Sequence, residues 1–172
     1  MVFLDLINWK KVRRAVLYLI CIVLATWLQT MVLSRAVFLG AAPMFLPALA
    51  VAIGLCEGGV WGGVLGMAAG FYCDLCCADY AVLFLILFAV FGFFAGLLAE
   101  FFINRSFVSY LLLAAAALLI TALVQAVPLW VFRSAAPMPL LRTALLQALW
   151  SLPLAALLYP VVRVIAVRQR RS

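Results

Sequence analysis

Apolar residues run through this chain in long stretches, broken only by short polar or turn-forming punctuation. A helix that crosses a bilayer takes about 20 mostly apolar residues. The pattern predicts six such helices, at about 15–33, 43–56, 58–75, 81–103, 107–132 and 140–167. Ahead of them, residues 1–14 place Phe3, Leu4, Leu6, Ile7 and Trp9 around Asp5 and Asn8 before turning basic. That amphipathic stretch reads as a short interfacial helix on the cytoplasmic leaflet. Ser34, Arg35 and Gly40 separate the first two spans, and Pro43 can open the second with Pro47 one turn inside. Glu57, Gly58 and Gly59 then turn the chain into the third, and the loop from Cys76 to Tyr80, with Asp79, leads to the fourth. The second and third segments are short, so they either cross with tilt or local thinning or form a re-entrant pair. No length is left for a water-soluble domain, and residues 1–172 read as one polytopic all-α membrane domain.

Composition agrees: 71% of residues are hydrophobic, 10% are charged, and histidine is missing altogether. The formal charge of +7 would suggest nucleic acid in a soluble protein, but its placement here argues for lipid. Lys10, Lys11, Arg13 and Arg14 precede the first span, and Arg163, Arg168, Arg170 and Arg171 follow or close the last. With Arg105 they put nine Lys/Arg on one side, against Arg35, Arg133 and Arg142 on the other. That asymmetry predicts an even number of spans with both termini cytoplasmic. Basic ends can also hold anionic headgroups. The first span lacks a small-x-small cleavage site before Arg35 and is expected to stay as an anchor.

Within the apolar background, Gly58, Gly62, Gly66 and Gly70 recur every fourth residue and lead to Asp74. Residues four apart share a helix face, so the glycines cut a smooth groove that Gly59 and Gly63 widen. In lipid, where apolar surface alone gives helices little reason to associate, such close approach supports assembly. Span four repeats the pattern with Gly92, Gly96 and Glu100. Either these faces pack within the fold or a partner's helix uses them.

A carboxylate at bilayer depth is costly, so each acid needs a reason. Glu57 in its turn and Asp79 in its loop can reach water. Asp74, one turn past Gly70, is either a solvated helix-end acid or one satisfied by a cation or backbone donors of a docking helix. Polar faces recur elsewhere: Thr26, Gln29 and Thr30; Thr121 and Gln125; Gln147 and Ser151. Such faces hydrogen-bond between helices or, less often, line a cavity, for which Gln29, Gln125 and Gln147 are the candidates. Cys73, Cys76 and Cys77 resemble a redox or metal group, yet no histidine exists to complete a common zinc site, and cysteine packing at a helix end is the alternative. A histidine-based hydrolase triad is excluded, no phosphate-binding Gly-Lys loop is present, and no cofactor site is expected.

The segments Pro43 to Pro47, Glu57-Gly58-Gly59, Gly62 through Gly66, Gly70 to Asp74, and Gly92 to Gly96 together resemble the bacterial rod shape-determining MreD family. The likeness extends to chain length, span number and basic ends, while the cysteines at 73, 76 and 77 depart from the family's more aliphatic residues there. The resemblance implies a non-enzymatic component of the cell-elongation machinery in the bacterial inner membrane. Its implied partner is the bitopic protein MreC and, indirectly, an actin-like filament and peptidoglycan synthases. It also implies a six-helix body similar to the substrate-binding subunits of energy-coupling-factor transporters, and this second likeness supplies the rival reading, a small-molecule-binding subunit of a vitamin-type transporter.

Overall fold

The computed structural model describes residues 9–33, 43–76, 83–101, 106–133 and 137–171, and among these every regular element is a helix. They are α1 (Trp9–Leu28), continued by a wider π-helical turn over Gln29–Leu33, then α2 (Leu46–Glu57), α3 (Gly59–Cys76), α4 (Leu83–Phe101), α5 (Phe107–Arg133) and α6 (Pro137–Arg171). Helices α1, α3, α4, α5 and α6 are each long and apolar enough to cross a membrane, which makes this a multi-pass membrane protein. Helix α2 has 12 residues, about 18 Å at 1.5 Å per residue.

The short helix is the centre of the body. Every residue from Leu46 to Leu55 is buried, and α3, α4, α5 and α6 all pack on it. A helix apolar on all sides has no face to give to water and belongs in an interior. Around it, α3 pairs with α4 and α5 with α6, each pair antiparallel, while α1 lies along α3 and α6. The outer faces carry Leu24, Ile86, Phe94, Leu112, Leu149 and Leu157 openly, as lipid-facing helices do. Exposed Trp27 and Trp130 sit toward one end and Trp61 toward the other, in keeping with the aromatic belts of a bilayer's two interfaces.

Spans three, four and five begin and end within two residues of the expected positions. Three helices differ in their bounds. Residues 9–14 are not a separate interfacial helix but the first turns of α1, because Lys10 to Arg14 hold no glycine or proline to break them from Ala15. Pro43 stays outside α2, and Pro47 takes the first-turn position where its missing N–H costs nothing. Helix α6 runs beyond both expected ends and continues through Pro153 and Pro160. Residues 1–8, Arg35 and Gly40, Cys77 and Asp79, and Arg105 lie outside the described residues.

Candidate functional site

The glycine strip is filled from within the chain. A Cβ placed on Gly62 would collide with Gly54 and with the Gly92 carbonyl, one on Gly66 with the Phe88 carbonyl, and one on Gly70 with Phe84 and Leu85. From the other side, Gly92 faces Gly62 and Gly96 faces Gly58 and Gly59. The pairs 58/96, 62/92, 66/88 and 70/84 step together, which is the register of two antiparallel helices in backbone contact. Of the two uses open to this face, packing within the fold is the one seen here, because α4 covers it. Gly54, which the sequence reading passed over, extends the series 54, 58, 62, 66, 70 into α2 and was visible in the same spacing. Gly58 ends α2 with φ at +95°, a backbone region that only glycine enters at little cost.

The acids that close the two ladders complete the same joint. Asp74 Oδ1 and Oδ2 accept from the backbone N–H groups of Phe84 (3.2 Å) and Leu85 (2.9 Å), in the first turn of α4. Glu100 Oε1 accepts from the N–H of Gly59 (3.2 Å), the first residue of α3. Each helix thus ends in a carboxylate that caps the start of its neighbour, where free donors and the positive end of the helix dipole favour an anion. Asp74→Ala is expected to lower stability by about 1–2 kcal/mol, the cost of a lost helix cap, while Asp74→Asn keeps most of it. Thermal unfolding of the detergent-solubilised protein checks this.

Glu57, expected to be water-exposed in its turn, is instead partnered. Arg14 Nη1 donates to its Oε2 and the Tyr18 hydroxyl to its Oε1, both at 2.8 Å, and its side chain is 7% exposed. Tyr18 was not singled out from the sequence because a tyrosine in an apolar run carries no spacing signal.

At the other end of α2 the three glutamines meet. Gln29 donates to the Pro43 carbonyl (2.6 Å) and accepts from the Phe45 N–H (3.2 Å), and Ser151 accepts from the Met44 N–H (2.8 Å). Gln147 donates to Gln125 (3.3 Å), whose amide contacts the Met44 sulfur at 3.0 Å. Four residues from three helices thus gather at the entry to α2, and two of them, Gln29 and Ser151, satisfy backbone groups that would otherwise be buried unpaired. Gln29 uses both polar groups of its amide on this segment, and Gln125 bonds to the Met44 sulfur and to Gln147. Thr26, Thr30 and Thr121 bond to carbonyls of their own helices, at Ile22, Thr26 and Ala117.

Cys73 is buried and Cys76 exposed. Among the described residues no group of three or more His, Cys, Asp or Glu is placed to hold a metal ion. Fold and site together define a multi-pass all-helical membrane protein whose conspicuous glycines, carboxylates and amides join helix to helix. No family model, curated protein or solved structure matches the chain.

Proposed function

We propose that this chain is a non-enzymatic membrane scaffold of the bacterial cell-elongation machinery, that it crosses the inner membrane six times with both termini inside, and that it binds MreC. The observation that carries the reading is the set of segments resembling the MreD family: in space they are one unit, the α2–α3–α4 core with its turn at Gly58 and its reciprocal carboxylate caps. Six crossings are supported by the two ends of α2. One end meets Gln29 and the other meets Arg14 and Tyr18, so α2 shares the depth that residues 14–29 of α1 cover, about 22 Å, in a bilayer thinned around it.

The test is co-purification. Full-length tagged chain coexpressed with MreC is expected to retain it through mild detergent, and to leave behind an unrelated bitopic protein of equal abundance. Failure to retain MreC, with the chain monodisperse, overturns the reading. The placing of Gln29, Gln125 and Gln147 around residues 43–45 bears on the transporter-subunit alternative. A metabolite carried through purification and seen by mass spectrometry is the result that would favour it.

A further inference from the structure

Between α1 and α6 lies an open groove of about 390 Å³ whose walls include Leu17, Leu24 and Leu28 on α1 and Leu158, Val161 and Ile165 on α6. Two properties say what fits it. Grooves that receive a helix backbone in lipid are lined by small residues, and this chain's glycine faces are already closed against each other in α2, α3 and α4. The α1–α6 groove holds the smaller Cys21 and Ala25 but no glycine, and its other eight lining residues are larger apolar side chains, which conform to a flexible hydrocarbon chain.

Charge supplies the second property. The groove's Leu17 end lies at the basic start of α1, where Arg13, exposed and one turn earlier on the same face, points the way out. Arg14 beside it is held by Glu57. At the same end Ile165 of α6 is followed in the chain by Arg168, Arg170 and Arg171. At the opposite end Leu28 is followed by Gln29 to Leu33, which carry no charge among the described residues of that helix. Among the described residues the groove therefore joins an apolar trough to the exposed cation Arg13 at its Leu17 end, the complement of an amphiphile with an anionic head.

We propose that this groove binds one anionic phospholipid, with an acyl chain along the α1–α6 seam and its phosphate at the basic end beside Arg13. The site is independent of MreC binding. The lipid joins the first helix to the last at the level of the inner leaflet and so fastens the two ends of the chain.

Native mass spectrometry of the full-length protein, titrated with phosphatidylglycerol or phosphatidylcholine of identical acyl chains, tests this. At least fivefold more phosphatidylglycerol adduct is expected, and Arg13→Gln should reduce that excess about fivefold, the worth of one interfacial cation. Leu24→Trp with Val161→Trp, at two half-exposed positions where added bulk enters the groove and not the core, should lower adducts of both lipids severalfold at an unchanged melting temperature. Equal binding of the two lipids, an excess untouched by Arg13→Gln, or adducts that survive the filled groove each overturn the proposal. Loss of a copurifying helix from the filled variant while lipid adducts persist would give the groove to a protein partner and overturn it equally.

Discussion

Gly62→Leu combined with Gly66→Leu removes the folded body rather than a docking surface. The atoms that a Cβ at these positions would strike are backbone: the Gly54 Cα and Gly92 carbonyl at the first, the Phe88 carbonyl at the second. A side chain can rotate out of the way, but a helix backbone moves only as a rigid piece, and here α4 is fixed at both ends by the Asp74 and Glu100 caps. Overpacking costs about 1–3 kcal/mol per site where neighbours can relax. With two backbone clashes one turn apart, the pair is expected to cost about 3–6 kcal/mol, a large part of an ordinary domain's stability. The measurement is size-exclusion elution and thermal unfolding in detergent. Gly63→Ala is the control, because its Cβ would meet the Phe93 side chain at 3.4 Å, ordinary contact, and alanine favours the helix by about 1 kcal/mol. A monodisperse double-leucine variant melting like the parent would show that α3 and α4 do not touch as described. Because the double variant reports on the fold, MreC retention has to be examined with substitutions on outward faces.

The helices and their order were legible because a bilayer imposes one strong rule, a long apolar run for each crossing, and because Gly58, Gly62, Gly66 and Gly70 share a face whatever they meet. The spacing even carried the acids: Asp74 follows Gly70, and Glu100 follows Gly96, by one turn, which is where each must stand to reach the other helix's first residues. What the spacing could not say is which helix fills the strip. Periodicity fixes a face and not its occupant, so a partner's helix and the chain's own α4 predict the same pattern. Glu57 was misread for a related reason. A turn between helices normally reaches water, and nothing within ten residues of Glu57 in the sequence announces that Arg14 and Tyr18 cover it from α1. The three glutamines were found by their polarity, but the role of Gln29 depends on the start of α2, displaced from Pro43 to Leu46, where the backbone needs an acceptor and a donor.

Glu57→Ala is expected to be the most costly single loss of a polar group. It leaves the Arg14 guanidinium, 28% exposed, and the buried Tyr18 hydroxyl without their acceptor. Removing one partner of a buried pair costs about 3–5 kcal/mol. The partial exposure of Arg14 lets water return to it, so about 3 kcal/mol is the figure to expect. Arg14→Ala strands the carboxylate instead, which keeps Tyr18 as a donor, and about 2 kcal/mol follows from the same argument. The double variant removes both charges together and should cost less than the sum by about 1–2 kcal/mol, the coupling between groups in direct contact. Glu57→Gln retains an oxygen for Tyr18 and should cost only about 1 kcal/mol. Unfolding of the four proteins in one detergent gives the cycle. A coupling below about 0.5 kcal/mol would mean that the contact is surface decoration. A coupling of the expected size makes it the clasp that holds the basic start of α1 against the α2–α3 turn, at the opposite end of α2 from the Gln29 contact, so that the first helix is fixed to the central one at both of its ends.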